Sequence, residues 1–319
     1  GKSTVPVGTA QALHEMIQRT SPDAGIELAW NPEFLREGFA VQDTLHPDRL
    51  VFGVTGPAAE LTLRKVYARA FADETPVVTS DLPTAELVKV SANAFLATKI
   101  SFINAMAEIA EVTGADVGTL ADAIGHDERI GRRFLGAGIG FGGGCLPKDI
   151  RAFAARAEEL GRGESVAFLR EVDAINLRRR ARAAELVVEA FGGAVHGKRI
   201  AVLGAAFKPH SDDIRDSPAL DVAVQLKGLG AEVVVTDPAA LHNARRAHPQ
   251  LTYEDDRDTA LSQADAVVLV TEWDEYRREL SPEHAAALTH GRIIVDGRNC
   301  LDAAAWKAAG WTYRGMGRS

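Results

Sequence analysis

Apolar spacing along the chain divides it into three stretches. Up to residue 81, short apolar runs alternate with turn signals. "IELAWNPEF" (26–34) begins as a strand and stops at Asn31-Pro32. "RLVFGVTG" (49–56) is a strand closed by glycine, and "TPVVTSD" (75–81) is extended again. Between them "AAELTLRKVYARAF" (58–71) has the helical period. This alternation predicts part of a layered, Rossmann-like α/β domain over residues 1–81.

From Ser80 the period changes. Some 30 residues run without a breaker to Gly114, with Pro83 at the first turn. They predict one long helix, apolar on more than one face and so buried between domains or subunits. Helices are also predicted near 116–125, from about 147 to 160, and from about 165 to 191. Residues 82–192 thus read as an all-helical central domain. From Lys198 the strand–helix alternation returns. "KRIAVLGAAF", "AEVVVTDP", "ADAVVLVTEW" and "GRIIVDGRN" are parallel-type strands, and "PALDVAVQLKGLG" is an amphipathic helix. Residues 193–319 therefore read as a second Rossmann-like parallel-sheet domain, with ligands expected at the carboxyl ends of its strands.

Composition narrows the class. The 319 residues carry a net charge of -8, which argues against a nucleic-acid binder. The run Arg178-Arg179-Arg180 with Arg182 reads as the solvated face of a helix. No apolar run is long enough to span a membrane. Two cysteines make no disulfide framework and suggest a cytoplasmic setting. No metal site is implied.

The candidate chemistry centres on "GFGGGCLPKD" (140–149). Gly142, Gly143 and Gly144 remove bulk beside Cys145, so that a ligand can approach the backbone. Pro147 suits the first turn of a helix, which puts Cys145 at a helix N-terminus. There the dipole and Lys148 would favour a thiolate. Asp149, four residues on, suits a water or a proton. Cys300, in "DGRNCLD", reads as packing. Lys89 and Asn93 are four apart on the long helix. Lys89 is either a buried acid/base or a lysine that snorkels to solvent. Glu33 and Glu37 are also four apart, either as paired carboxylates or as a solvated helix face. Gly204 opens only a weak dinucleotide fingerprint, and Lys208 with Arg298 fits a nucleotide better.

Six stretches in order resemble the UDP-glucose/GDP-mannose dehydrogenase family of nucleotide-sugar dehydrogenases. They are "KSTVPVGT", "NPEFLREG", "ELVKVSANAFLATKISFINA", "RIGRRFLGAGIGFGGGCLPKD", "AFKPHSDDIRDSPALDV" and "DGRN". The resemblance implies two NAD-dependent oxidations that take UDP-glucose to UDP-glucuronate through a thiohemiacetal and a thioester on Cys145. Lys89 and Asn93 would steady the oxygen that gains negative charge. Thr4, Glu37 and Asp149 would place the water and relay protons. Glu33, Phe34 and Leu35 would line the sugar site. Phe134, Leu135, Gly138, Gly140, Phe141 and Gly142 belong to the loop that would wrap the nucleotide-sugar, with Phe207, Lys208 and Arg298 meeting the same ligand. Ser3, Thr4, Glu37, Lys148 and Arg215 would face NAD. Arg129 would reach the sugar of a neighbouring subunit, which implies a homodimer or larger homo-oligomer paired through the long helix. No nucleic acid or membrane partner is implied. GDP-mannose and UDP-N-acetylmannosamine are the alternative substrates, and a nucleotide-sugar-binding protein without turnover is the alternative activity. Gly144 stands where the family usually has serine, a loss of one ligand hydrogen bond worth about 1 kcal/mol. No GxGxxG occurs in the first 80 residues. The expectation is therefore an incomplete, inactive chain lacking most of the N-terminal NAD-binding domain.

Overall fold

A computed structural model describes residues 1–318. The chain packs as two compact units. One comprises Gly1–Phe95 with Lys148–Leu169, and the other comprises Leu96–Pro147 with the chain from Arg170 on.

The first unit holds a three-stranded sheet of β1 (Ala29–Trp30), β2 (Leu50–Val54) and β3 (Val77–Ser80), in that order. β1 and β2 are antiparallel, while β2 and β3 are parallel. Trp30, Val51, Leu82, Ala85 and Ala10 make a small core on one side. Leu50, Phe52 and Ala70 make another. The helix expected over 58–71 is two pieces, Pro57–Val66 and Ala68–Ala72. The break is at Tyr67, whose ring meets Phe52 and whose hydroxyl donates to Asn31 Oδ1. Tertiary contact there outweighs helical period. A helix at Thr9–Thr20 was not read from the sequence. Glu86 caps its start by accepting from the Gly8 and Ala10 N–H groups at 2.8 and 2.7 Å. Those orphan donors of the first turn are thereby satisfied.

The second unit is built on six parallel strands: β4 (Arg199–Leu203), β5 (Glu232–Thr236), β6 (Thr252–Tyr253), β7 (Ala266–Leu269), β8 (Ile293–Asp296) and β9 (Thr312–Gly315). Their order, β6-β5-β4-β7-β8-β9, is that of a doubly wound Rossmann sheet. Ile200 to Leu203 are fully buried because helices cover both faces of a parallel sheet. β6 and β9 are short edge strands with polar residues, and apolar runs do not announce them.

The long helix is Leu82–Thr113, and the last long one is Phe168–Ala190. The expectation of a solvated arginine face on the latter is wrong at its centre. Arg179 and Arg180 are 0% and 2% exposed. Arg179 bonds Glu111, and Arg180 bonds Asp216 and Asp221. These carboxylates lie far off in sequence, so no local pattern reveals them.

Candidate active site

In the first unit, the helix Leu146–Glu159 carries Lys148 and Asp149 in its first turn. Asp149 is 1% exposed, and its carboxylate is fully engaged. Oδ2 accepts from Asn93 Nδ2 at 2.6 Å and from Thr4 Oγ1 at 3.1 Å. Oδ1 accepts from Lys148 Nζ at 2.6 Å. Beside this cluster is a cavity of about 50 Å3 lined by Thr4, Pro6, Val90, Lys148 and Asp149 among others, with room for about one water. Three of the expected catalytic residues thus share one set of hydrogen bonds.

Lys89 is buried, not snorkelling. Its ammonium pairs with Glu33 Oε1 at 2.9 Å and also meets the Glu33 carbonyl. Burial pushes the Glu33 carboxyl up. The hydrogen bonds from Lys89 and the Leu35 N–H, with the Lys89 and Lys2 charges, outweigh it and leave the carboxyl below its ordinary value. Residues 31–38 form no helix, so Glu33 and Glu37 do not share a helix face. Glu33 turns to Lys89 and Glu37 lies half-buried in a turn. The Phe34 ring packs towards the core under the Arg49 guanidinium at 3.8 Å, and Leu35 and Ser3 are exposed.

In the second unit, Cys145 is an exposed free thiol immediately before the helix that starts at Leu146. The loop leading to it packs closely on residues 207–218. An added Cβ at Gly142 would lie 2.2 Å from the Asp216 carbonyl oxygen. One at Gly143 would lie 2.8 Å from the Phe207 ring, and one at Gly144 would lie 2.4 Å from the Arg215 guanidinium. The triple glycine was expected to open the backbone to a ligand. Its neighbours here are protein, and the absent side chains let two segments of this unit meet.

Arg298 stitches the same region together. Its guanidinium donates to the carbonyls of Val270, Gly140 and Phe207 at 2.8, 2.9 and 3.0 Å. Its Nε lies 3.2 Å from Glu272 Oε2, but the hydrogen points to Val270, so that contact is ionic only. Lys208 Nζ lies 5.4 Å from the Phe207 ring centre. Leu135 and Phe141 are buried. Phe134, at φ 65°, is half exposed. Gly138 donates to Asn104 Oδ1 at 2.9 Å. The exposed Arg129 chelates Asp127. Cys300 packs against the core, and burial, followed by the Asp296 charge, pushes its thiol up.

At the end of β5, Asp237 is 3% exposed. Oδ2 accepts from Ala205 N, Ala206 N and Trp273 Nε1, and Oδ1 accepts from Ala239 N and Ala240 N.

Known proteins give this geometry a family. Three domain models of the UDP-glucose/GDP-mannose dehydrogenase family match in sequence: the NAD binding domain at 1–71, the central domain at 83–178 and the UDP binding domain at 201–303. A UDP-glucose 6-dehydrogenase of Rhizobium meliloti (strain 1021) is 40% identical over 319 residues, covering 99% of this chain and 72% of the relative. One of Bacillus subtilis (strain 168) is also 40% identical, with 99% and 68% covered. A UDP-glucose dehydrogenase structure from Pyrobaculum islandicum superposes with a TM-score of 0.88 at 37% identity, over 100% of this chain and 70% of that one. The chain belongs to the UDP-glucose/GDP-mannose dehydrogenase family. It is an NAD-dependent oxidoreductase of that family.

The match at 1–71 corrects the expectation that most of the NAD-binding domain is lacking, because the front of the chain is NAD-binding-domain sequence. The donor chemistry suits a dinucleotide diphosphate. Within the first unit, Lys148 ends in a largely exposed cation beside Asp149, a donor of the kind that meets a diphosphate oxygen. Sequence reasoning missed Asn176, Arg180, Asn104 and Glu86. The four-residue spacing of Asn176 and Arg180 on one helix was the only signal for that pair.

Proposed function

We propose that this chain is a UDP-glucose 6-dehydrogenase, oxidising the C6 hydroxyl of UDP-glucose to a carboxylate. The observation that carries the reading is the exposed Cys145 thiol at the head of the helix Leu146–Glu159, on a loop packed against the UDP-binding-domain segment 207–218.

Residues 1–81 serve as NAD-domain sequence, 82–192 as the central domain and 193–319 as the UDP-sugar domain. Two hydrides leave C6 in all. NAD, when bound, supplies the acceptor, held by Ser3, Thr4, Glu37, Lys148 and Arg215. Loss of the first hydride and the hydroxyl proton leaves an aldehyde. Cys145 Sγ adds to that carbonyl carbon, and the new oxyanion of the thiohemiacetal is steadied by Lys89 and Asn93. Loss of the second hydride leaves a thioester. Water placed by Thr4, Glu37 and Asp149 adds to it, the C–S bond breaks, and the thiol returns with the acid as product. A thiolate suits both halves, being a strong nucleophile and a competent leaving group.

Glu33, Phe34 and Leu35 line the sugar. The loop from Phe134 to Gly142 wraps the nucleotide, and Phe207, Lys208 and Arg298 meet it. Pairing of two copies through the long helix brings Arg129 to the neighbour's sugar. Phe95, Phe102 and Ile109, seven residues apart on that helix, are all exposed and supply an apolar stripe for it.

The test offers UDP-glucose, GDP-mannose and UDP-N-acetylmannosamine in turn with NAD. UDP-glucose should give the highest kcat/KM, with two NADH formed per UDP-glucuronate. Cys145→Ala should form no UDP-glucuronate. A higher kcat/KM for either other sugar nucleotide would overturn the substrate, and normal UDP-glucuronate formation by Cys145→Ala would overturn the thioester route.

A further inference from the structure

We propose that Asn176 and Arg180 are positioning residues that set the main chain of the cysteine loop. The proposal rests on the function given above for that loop.

Both side chains lie on the helix Phe168–Ala190, in the same unit as the loop, and are 0% and 2% exposed. The Asn176 amide treats Phe141 as a strand neighbour would. Oδ1 accepts from Phe141 N at 2.7 Å, and Nδ2 donates to Phe141 O at 2.9 Å. Arg180 Nη2 donates to the same carbonyl at 2.9 Å, so both lone pairs of Phe141 O are used. Arg180 Nη1 also bonds Asp216 Oδ1 at 2.7 Å and meets the Asp221 carboxylate. The Asp216 backbone closes the circuit, because its carbonyl oxygen would lie 2.2 Å from a Cβ on Gly142. Gly140, at φ 90°, is held from its other side, with a Cβ there 2.2 Å from Asn176 Oδ1. Arg298 takes the Gly140 carbonyl. Residues 140–142 are thus held between the buried side of one helix and the 216–221 segment, three residues before Cys145.

Energy argues that this arrangement sets position. A buried guanidinium is weak evidence for stability, since apolar side chains of equal volume often serve as well or better. Among the described residues, Arg180 even leaves its buried Nε without a partner. Its acceptors are the loop carbonyl and two carboxylates of the UDP-binding domain, so the bonds fix where the loop lies against that domain. Neither residue reaches Cys145; both act through the loop.

The test compares Asn176→Ala, Asn176→Asp, Arg180→Met and Arg180→Lys with the wild type. Steady-state kinetics, thermal midpoint and Cys145 alkylation by iodoacetamide are read for each, with Cys300 replaced by Ala throughout. Asn176→Ala and Arg180→Met should raise KM for UDP-glucose roughly tenfold. Both should change the alkylation rate at least about threefold while KM for NAD stays within about twofold. Arg180→Lys should recover part of the Arg180→Met loss. Asn176→Asp keeps the size and the acceptor for Phe141 N but sets an acceptor against Phe141 O, so it should behave as Asn176→Ala and reports if Ala prevents folding. A lowered thermal midpoint with wild-type KM and alkylation in the soluble variants would overturn the proposal. A wild type that does not turn over UDP-glucose would instead overturn the functional reading, and the alkylation comparison would still report on the loop.

Discussion

Asn93 donates to Asp149 Oδ2 at 2.6 Å, across 56 residues of sequence. Asp149 is 1% exposed, so bulk solvent screens the bond little. Asn93→Ala should lower kcat for UDP-glucose by roughly tenfold or more, from one lost hydrogen bond to a buried carboxylate. Asn93→Asp should do worse as pH rises, because two carboxylates at that separation cannot both ionise. The pH profile of kcat checks this. A flat difference between the two variants would count against it.

The Lys89–Glu33 pair predicts a pH-dependent contribution to stability. The folded chain holds the Glu33 carboxyl below its ordinary value of 4.5. The ionised form therefore favours folding above that pH, and the contribution fades as pH falls through the lowered value. Wild type should exceed Glu33→Gln in urea midpoint near neutrality, and the gap should narrow as pH falls below the ordinary carboxyl value. A gap that is constant with pH would show that Glu33 acts by packing alone.

Gly143 should tolerate no side chain. It sits at φ 84°, and a Cβ would meet the Phe207 ring at 2.8 Å. Gly143→Ala should cost about 1–3 kcal/mol in chemical denaturation. Adding Phe207→Ala should remove the clash but not the backbone strain. Complete recovery by the double variant would mean that φ carries no cost.

The exposed stripe on the long helix should govern assembly. Phe102 is 50% exposed at its centre. Phe102→Glu should lower the mass seen by light scattering to that of one chain. An unchanged mass would remove the stripe from the interface.

Local signals made much of this readable. The apolar run Ile200–Leu203 announces a covered parallel strand, and the breaker-free stretch after Ser80 becomes a helix of 32 residues. Cys145, Pro147 and Asp149 could be placed because a helix start is a local event. What escaped depends on distant partners. Arg179 and Arg180 look like a solvated charge run until Glu111, Asp216 and Asp221 are brought to them. Tyr67 looks helical until Phe52 and Asn31 claim it. The glycines beside Cys145 were legible as lack of bulk, but only the fold shows that Asp216, Phe207 and Arg215 fill the space.

Asp237 has a wider meaning. In a doubly wound sheet an acidic residue some way past the first strand commonly takes the ribose hydroxyl of a dinucleotide. Here five donors from the protein itself already occupy that carboxylate. The sheet keeps the dinucleotide strand order while this carboxylate serves as an internal brace. Strand order alone therefore does not decide which nucleotide this unit takes.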